Sequence, residues 1–205
     1  IMMIKKQNYL KHAIVLFLLL LLMQPERAWA AYENVEFCSL TNHDGLTNSQ
    51  VGAILKDTRG YIWFGTQSGL CRFDGFRMKT FYYINTDDKS LPNNSVDELQ
   101  QDYDGNIWVH TSVGYCIYKY DEEQFERKLE EWLKNIHVQG PPYKLLIDKD
   151  KNMWIAVYGQ GLYYHNAKTK NTYLFKFTKK AQPGCLKEGN ISKITEVDGD
   201  ALITY

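Results

Sequence analysis

Two short runs of acidic and amide residues have the composition of a calcium-binding loop. They are Asp102–Asn106 (Asp-Tyr-Asp-Gly-Asn) and Asp148–Asn152 (Asp-Lys-Asp-Lys-Asn), in which oxygen ligands recur at alternate positions. A calcium loop of the EF-hand type also needs a carboxylate at its last position to complete the coordination shell. Val113 and Gly159 stand at that position in the two runs. We therefore predict no metal site here, and no cofactor.

Two histidines could serve acid–base chemistry if the chain were an exported enzyme acting on polysaccharides. A glycoside hydrolase or lyase needs paired carboxylates or a His/Tyr set that faces a common cavity. His110 stands where another copy of an internal repeat has Gly65, and His165 stands where other copies have Phe73 and Tyr118. Both histidines lie in predicted strands, and the acidic residues recur at turns. We interpret the histidines as structural and predict no catalytic residue.

The acidic residues belong to a phrase that recurs along the chain. Asp57–Trp63 (Asp-Thr-Arg-Gly-Tyr-Ile-Trp) returns as Asp102–Trp108 and as Asp148–Trp154. The tryptophans are 45 and 46 residues apart, and a partial fourth copy places Leu202 48 residues after the third tryptophan. Self-similarity at this period, with about four short strands per unit, is the signature of a β-propeller. The predicted fold class is all-β, a partial propeller of about three and a half four-stranded blades.

The first complete unit reads as four strands. Val51–Lys56, Tyr61–Thr66, Leu70–Phe73 and Arg77–Ile84 are rich in aromatic and β-branched residues, and Asp74-Gly75 is a strong hairpin signal. We place the units at residues 46–90, 91–142, 143–188 and 189–205, preceded by an outer strand and connection at residues 31–45.

The repeated tryptophans and glycines are predicted to be structural. Trp63, Trp108 and Trp154 lie in the middle of strands, so we expect them to fill the wedge between neighbouring blades. In each Asp-x-x-Gly turn the aspartate should bond its own backbone, and the glycine should supply a left-handed residue. The repeated turn glycines are Gly60, Gly105, Gly69, Gly114 and Gly161.

One segment, Glu123 to Gly140, departs from the repeat. Leu129, Trp132, Leu133 and Ile136 are spaced as on one face of a helix. The sequence leaves two alternatives open here, a short helix or an outer strand with an irregular loop.

The first thirty residues have the layout of a secretory signal peptide. Lys5, Lys6 and Lys11 form its basic region, residues 13–23 its apolar core, and Ala28–Ala30 a small-x-small cleavage site. As a helix the apolar core would extend about 17 Å, which is too short to cross a bilayer core of about 30 Å. We predict cleavage after residue 30 and export of the remainder.

The charge balance argues against a nucleic-acid partner. The chain has 24 basic and 24 acidic residues. Removal of residues 1–30 takes away four basic residues and one acidic residue, which leaves 20 and 23 and a net charge of −3. No Lys/Arg cluster offers an electrostatic footprint for phosphates.

The four cysteines do not define a disulfide framework. Cys71 and Cys116 each follow their tryptophan by eight residues, so they occupy matching positions in successive units. Matching positions in adjacent blades should lie farther apart than the roughly 4.4–6.8 Å between Cα atoms that a disulfide requires. We expect these two to be free, buried thiols. To Cys38 and Cys185 we assign no bond.

The repeat resembles the two-component regulator propeller repeat. The resemblance rests on Gly45–Val51 (Gly-Leu-Thr-Asn-Ser-Gln-Val), Asp57–Thr66 and Gly69–Asp74 (Gly-Leu-Cys-Arg-Phe-Asp), and it extends from about Tyr32 to the end of the chain. The third copy departs from the pattern, since Lys151 replaces its glycine. A propeller closes into a ring of four to eight blades, so we expect the chain to be a fragment of a longer protein.

The resemblance implies the periplasmic sensor region of a Bacteroidetes-type hybrid two-component histidine kinase. Such receptors sense oligosaccharides released from glycans and signal to regulate transcription, and their kinase lies beyond the propellers. The implied partners are an oligosaccharide, the remaining blades of the same receptor and a second receptor copy in a dimer. The alternatives are an exported propeller enzyme acting on polysaccharides and a secreted propeller that serves as a binding or scaffold protein.

Candidate ligand-binding residues lie in two sets of loops. The loops before each first strand and those between second and third strands should share one face of the propeller. Amide and tyrosine side chains there could bond sugar hydroxyls and stack on sugar rings. The candidates are Asn48, Gln67, Asn93, Asn94, Ser112, Tyr158 and Gln160.

Overall fold

A computed structural model of the chain describes residues 39–178, 186–187, 190–198 and 200–205. All described secondary structure lies in one compact unit, Leu40–Tyr205. The predicted signal peptide, residues 31–38 of the predicted N-terminal outer strand and connection (31–45), Cys38 and Cys185 fall outside the described residues. Within the described part of the chain, no helix has the length and apolarity needed to cross a bilayer.

The described residues form fifteen strands, a 3-10 turn at Asn42–Asp44 and one α-helix, α1 (Glu130–Asn135). The strands are β1 (Val51–Lys56), β2 (Ile62–Thr66), β3 (Gly69–Phe73), β4 (Met78–Phe81), β5 (Val96–Gln101), β6 (Ile107–Thr111), β7 (Gly114–Lys119), β8 (Gln124–Glu126), β9 (Pro142–Ile147), β10 (Met153–Val157), β11 (Gly161–His165), β12 (Thr172–Thr178), β13 (Leu186–Lys187), β14 (Lys193–Val197) and β15 (Asp200–Thr204).

The strands assemble into four separate sheets, which we call blades 1 to 4. Blade 1 has the order β1-β2-β3-β4, blade 2 has β5-β6-β7-β8, and both are antiparallel meanders. Blade 3 continues the pattern with β9 to β12, and blade 4 consists of β14 and β15. The first strands of successive blades contact one another, β1 with β5, β5 with β9 and β9 with β14. The predicted fold class, an all-β partial propeller, is confirmed.

Blade 3 differs from the prediction by an extra strand. β13 pairs in parallel with the outer strand β12, through Phe177 with Leu186 and Thr178 with Lys187. A two-residue parallel strand adds little pairing of its own, but it brings the chain back along the outer edge of blade 3 before blade 4 begins.

The tight turns between second and third strands depend on glycine. Gly69, Gly114 and Gly161 adopt φ values of 132°, 120° and 141°, a backbone region that favours glycine. At Gly161 a Cβ would also lie 2.1 Å from the carbonyl oxygen of Phe175 on the neighbouring strand. The backbone at these positions favours glycine, and at Gly161 lack of space adds to the conformational reason; the structural role of these glycines stays a prediction.

The outer strand of blade 1 is shorter than predicted. The sequence pattern extends it to Ile84, whereas β4 ends at Phe81. Beyond that point two side chains accept hydrogen bonds from backbone N–H groups. Tyr83 N donates to Asn94 Oδ1 at 2.7 Å, and Ile84 N donates to Ser90 Oγ at 2.9 Å. Side-chain acceptors thus replace the continued strand.

The irregular segment Glu123 to Gly140 contains both of the alternatives left open by the sequence. A three-residue outer strand, β8, is followed by helix α1. The helix is anchored by Leu133, which is 3% exposed, and by Trp132, whose ring meets that of Trp108 edge-on at a centroid distance of 4.7 Å. The helix therefore fills part of the wedge between blades 2 and 3.

Each repeated tryptophan lies on the second strand of its blade and packs against the next blade. Trp63 shares a hydrophobic cluster with blade 2 residues such as Val96, and Trp108 shares one with blade 3 residues such as Ile155. Trp154 packs against a cluster that includes Ile194 of blade 4. The first two indoles are buried and the third is half-buried. The three indoles thus lie where neighbouring blades meet, and their role as wedge residues stays a prediction.

The two matching cysteines are buried and free. Cys71 lies on β3 and Cys116 on β7, and both side chains have no solvent exposure. Burial raises the pKa of the Cys116 thiol, with a smaller opposing effect of the Arg127 charge. The prediction of free, buried thiols is confirmed.

Candidate functional site

One end of the blades collects all the predicted ligand-binding residues. In an antiparallel meander, the turn between second and third strands and the connection to the next blade lie at the same end of the sheet. We call this end the loop face; it comprises residues 46–50, 67–68, 82–95, 112–113, 127–141 and 158–160. The Asp-x-x-Gly turns and the hairpins between third and fourth strands lie at the opposite end.

The loops of blades 1 and 2 are hydrogen-bonded to each other on this face. Asn48 Nδ2 donates to Ser68 Oγ at 2.9 Å, and Ser95 Oγ donates to Gln67 Oε1 at 2.9 Å. The backbone N–H of Ser112 donates to the carbonyl of Ser95 at 3.3 Å. The structure therefore brings Asn48, Gln67 and Ser112 to one surface, where part of their hydrogen-bonding capacity holds the loops in place.

The side chains of Asn93 and Asn94 also hold loops in place through hydrogen bonds. Asn93 Oδ1 accepts from Ser95 N at 2.8 Å, and Asn94 Oδ1 accepts from the Tyr83 backbone at 2.7 Å. The Asn94 carbonyl also accepts from Gly69 N at 2.7 Å, which ties blade 1 to the connection that follows it. Their amide nitrogens make no hydrogen bond within the described residues, so ligand binding through these nitrogens remains a prediction.

Tyr158 forms an aromatic pair on the loop face of blade 3. Its ring stacks on Tyr143 with a centroid distance of 3.9 Å and an interplanar angle of 19°, and Tyr158 is 61% exposed. The Tyr143 hydroxyl accepts from the Ile191 backbone at 3.0 Å, and partial burial raises the pKa of Tyr143. An exposed ring held flat by a second ring has the form of a stacking platform.

Both polar groups of the Gln160 side chain form hydrogen bonds within the protein. Its Nε2 donates to the Gln139 carbonyl at 2.9 Å, and its Oε1 accepts from the Tyr163 hydroxyl at 2.5 Å. These bonds connect the turn between β10 and β11 to the segment that follows helix α1. The role predicted for Gln160 as a ligand contact stays a prediction, and its observed role is to position a neighbouring loop.

A cleft of about 660 Å³ opens on the loop face between blades 2 and 3. Its size falls within the range of small-molecule sites. We call it the inter-blade cleft. One wall is the turn between β6 and β7, another is helix α1, and the third is the segment that leads into β9. The lining residues are Val113, Gly114, Tyr115, Arg127, Leu129, Glu130, Leu133, Lys134, His137, Val138, Gln139, Gly140, Pro141 and Pro142.

A second cavity of about 530 Å³ adjoins the cleft and shares His137 and Gln139 with it. Gln160 and Tyr163 line its far side. His137 has φ 60°, an uncommon value for a residue other than glycine, and its N–H donates to the Lys134 carbonyl at 3.0 Å as helix α1 ends. The short loop His137–Gly140 thus separates two adjoining cavities.

Arg127, which lines the cleft, is held in position by backbone carbonyls outside it. Arg127 Nε donates to the Ser90 carbonyl at 2.8 Å, and Nη2 donates to the carbonyls of Asp87 at 2.8 Å and Leu91 at 3.1 Å. These carbonyls belong to the connection between blades 1 and 2. One guanidinium therefore fixes that connection and also lines the inter-blade cleft.

Tyr115 closes the inner side of the cleft as a neutral phenol. It is 8% exposed, and its hydroxyl donates to Glu98 Oε2 at 3.1 Å while accepting from Leu145 N at 3.1 Å. Burial, reinforced by the Glu98 charge, raises the pKa of Tyr115 well above its ordinary value. The phenol can therefore shape and bond a ligand, but it is poorly suited to act as a base.

The two histidines considered for catalysis lie apart from each other. His110 Nδ1 lies 2.6 Å from Asp97 Oδ1, and its ring lies beside Tyr115 at a centroid distance of 4.4 Å. His165 is buried on β11, where its Nδ1 lies 2.8 Å from Thr172 Oγ1. The described residues also contain no group of three or more His, Cys, Asp or Glu side chains placed to hold a metal ion.

The inter-blade cleft offers apolar walls, hydrogen-bond donors and charges, which are features of a binding site.

Sequence reasoning missed the inter-blade cleft. Apart from the β6–β7 turn, its walls come from residues 127–142, which carry no copy of the repeated phrase. The signal that could have found it was the departure from the repeat between Glu123 and Gly140, since an insertion between two blades must bulge onto the loop face.

Two segments of the chain are similar to a known protein family, and the chain as a whole is similar to solved structures. Residues 45–68 and 90–112 match the family described as Two component regulator propeller. No curated protein matches the chain. Among solved structures, the extracellular domain assigned to the hybrid two component system BT3049 of B. thetaiotaomicron aligns with 81% of this chain and 29% of its own, at 18% identity and a TM-score of 0.41.

A second solved structure is the extracellular domain assigned to the one component system BT4673 of B. thetaiotaomicron. It aligns with 78% of this chain and 23% of its own, at 17% identity and a TM-score of 0.48. The chain thus spans about a quarter of the length of these structures. At residues 45–68 and 90–112 the chain is similar to the family described as Two component regulator propeller.

Proposed function

We propose that the chain is the extracytoplasmic ligand-sensing segment of a two-component sensor histidine kinase that detects glycan-derived oligosaccharides. The observation that carries the proposal is the inter-blade cleft, which opens on the loop face of a propeller built from two component regulator repeats. The kinase and the transcriptional response belong to other parts of the receptor, and the segment functions after export to the periplasm.

The walls of the cleft suit a sugar. Val113 and Pro141 offer apolar surface, whereas Gln139 and Lys134 offer hydrogen-bond donors and are exposed. Sugar rings present both apolar faces and hydroxyl groups, and binding sites of this size commonly combine apolar walls with a few placed polar groups. The exposed Tyr158 ring adds a stacking surface elsewhere on the same face.

The location of the cleft also suits signalling. Its walls are formed by blade 2, by the connection that enters blade 3 and by Pro142 at the start of β9, so a ligand that reaches Pro142 would contact two blades at once. Binding shifts a conformational equilibrium only if the ligand contacts one arrangement better than another. A ligand that bridges two blades meets this condition when the arrangements differ in the angle between those blades.

A titration of the full chain tests the proposal. Oligosaccharides released from a panel of plant and mucosal glycans would be titrated by isothermal calorimetry against the chain and its Val113→Trp variant. Val113 is 67% exposed and lines the cleft, so an indole there obstructs the cleft without filling a packed core. We expect at least one oligosaccharide to bind and Val113→Trp to weaken it by about tenfold or more.

The matched control is Phe76→Trp, at a residue that is 94% exposed on the β3–β4 hairpin at the opposite end of the blades. It should leave the affinity unchanged. Equal affinity of the chain and Val113→Trp would refute the location of the site, and absence of binding by every oligosaccharide of the panel would refute the proposed function.

A further inference from the structure

Cationic side chains outnumber carboxylates around the inter-blade cleft. Arg127 and Lys134 line it, with His137 as a third nitrogen donor, whereas Glu130 is the only acidic residue among the described lining residues. Neither Arg127 nor Lys134 forms an ion pair with any described residue. Two permanent positive charges therefore face one permanent negative charge at the cleft.

Arg127 is held in place without being neutralised. Its Nε and Nη2 atoms donate to the backbone carbonyls of the connection between blades 1 and 2 and to Ser90 Oγ at 2.7 Å. Its Nη1 makes no hydrogen bond within the described residues, and no nitrogen or oxygen of a buried described side chain lacks a partner. Nη1 is therefore accessible to solvent, and the carbonyls hold the guanidinium, whose central carbon lies 5.7 Å from the centre of the Tyr83 ring, in position while its full charge remains.

A positioned guanidinium with a free donor is suited to carboxylate and sulfate groups. Charge-assisted bonds to these anions are about twice as strong as neutral ones, and a pre-ordered guanidinium loses less conformational entropy when it binds them. Lys134 lines the same cleft from helix α1 and is exposed, so it can reach a second anionic oxygen. Glu130 lies in the first turn of that helix, where the helix dipole compensates part of its charge.

We infer that the ligand of the inter-blade cleft is an anionic saccharide whose carboxylate or sulfate binds Arg127 and Lys134. This inference rests on the proposed function, because it names the chemical class of the ligand at the same site. It extends that proposal by excluding neutral oligosaccharides as the main ligand.

The test separates the panel of oligosaccharides by charge. Neutral, uronate-containing and sulfated fractions would each be titrated against the full chain and its Lys134→Gln variant, at low and at high salt. We expect an anionic fraction to bind, with affinity that falls as salt rises, and the neutral fraction to bind at least tenfold more weakly. Lys134→Gln should weaken the anionic ligand by about three- to fivefold. Binding of the uronate fraction or of the sulfated fraction identifies which anion is recognised.

Two further variants keep the test decisive. Lys128→Gln removes an exposed lysine just before the helix but outside the cleft, and it should leave the affinity unchanged. Arg127→Lys keeps the positive charge but loses the fork, and it should weaken the anion more than Lys134→Gln does; circular dichroism checks that it folds. If Arg127→Lys unfolds, Lys134→Gln alone decides.

The outcomes separate the inference from the proposal it extends. Tight binding of a neutral fraction that Val113→Trp abolishes would overturn the inference and leave the proposed function intact. Anion binding that is insensitive to Lys134→Gln would also overturn the inference, since the anion would then bind elsewhere. If no fraction binds, the proposed function fails and the inference fails with it.

Discussion

Asp57 Oδ2 accepts a hydrogen bond from the indole Nε1 of Trp63 at 2.7 Å, and both side chains are buried. The other carboxylate oxygen of Asp57 accepts from the backbone N–H groups of Arg59 and Tyr61, each at 2.9 Å. One carboxylate therefore shapes the turn and orients the indole that packs against blade 2. This is a physical reason for the six-residue spacing of Asp and Trp in the repeated phrase.

The same bond weakens along the chain. The distance between the indole nitrogen and the carboxylate oxygen is 3.0 Å from Trp108 to Asp102 and 3.4 Å from Trp154 to Asp148. The third indole is also the least buried. Because hydrogen bonds are worth most where water is excluded, the energetic value of the pair should fall from blade 1 to blade 3.

Replacement of the turn aspartates should reveal this gradient. Asp57→Asn places an amide where two or more donors converge, and we expect it to lower the free energy of unfolding by about 3 kcal/mol. Asp148→Asn should cost about 1 kcal/mol, because its indole bond is long and half-buried. Urea denaturation of the two variants measures both losses. Equal losses at the two sites would contradict the gradient.

Two glycines should differ in their response to alanine. At Gly60 the φ is 93° and a Cβ would meet nothing within 4 Å. Gly60→Ala should therefore lower the free energy of unfolding only through the cost of a left-handed alanine, about 1 kcal/mol. At Gly161 the new Cβ would also clash with the Phe175 carbonyl. Gly161→Ala should therefore lower the urea midpoint clearly more. Similar midpoints for the two variants would show that the turn relaxes without cost.

His165 should make the fold sensitive to mild acid. Burial, together with the nearby Lys170 charge, lowers the pKa of His165 below its ordinary value of 6.5. The folded state then binds fewer protons at this site than the unfolded state, so stability is complete above about pH 6.5 and falls as the pH drops toward the folded pKa. Urea denaturation at pH 7.5 and pH 5.5 measures the loss.

The control for this prediction is His165→Phe, since phenylalanine stands at the matching position in blade 1. This variant loses the contact with Thr172 but has no imidazole to titrate. Its stability should therefore change less between the two pH values than that of the unmodified chain. An identical pH dependence would assign the acid sensitivity to other groups.

The buried thiols should be inert until the chain unfolds. A variant with Cys38→Ser and Cys185→Ser retains only Cys71 and Cys116, which have no solvent exposure. The thiolate is the reactive form, and burial raises the pKa of the Cys116 thiol. Iodoacetamide at pH 8 should leave both thiols unmodified in native buffer and should alkylate both in urea. Rapid labelling without urea would mean that the blades separate readily.

The repeat made much of the fold predictable. Similar phrases at a near-constant spacing place equivalent strands, and they correctly predicted the free, buried state of Cys71 and Cys116. The end of β4 was not predictable, because it depends on acceptors from Asn94 and Ser90, which reach the backbone only through the irregular path of the connection that follows. The Asp57–Trp63 bond was missed because the aspartate was assigned only to its own turn.

The candidate site was less predictable than the fold. The sequence located the loop face, since antiparallel topology fixes which loops share an end. It did not indicate that Asn48 and Gln160 would bond neighbouring loops, because hydrogen-bond partners depend on three-dimensional placement. The inter-blade cleft requires the position of helix α1, which is set by contacts of Trp132 and Leu133 with the core between blades 2 and 3.

The claim on which the fold depends is that the turn carboxylate and the indole act as one unit between blades, and a double-mutant cycle of Asp57→Ala and Trp63→Phe tests it most directly. Trp63→Phe keeps an aromatic ring and removes the N–H. Urea denaturation of the chain, both single variants and the double variant should give a coupling energy of about 1–2 kcal/mol. The account would be contradicted if the losses in the free energy of unfolding of the two single variants summed, within about 0.3 kcal/mol, to the loss of the double variant.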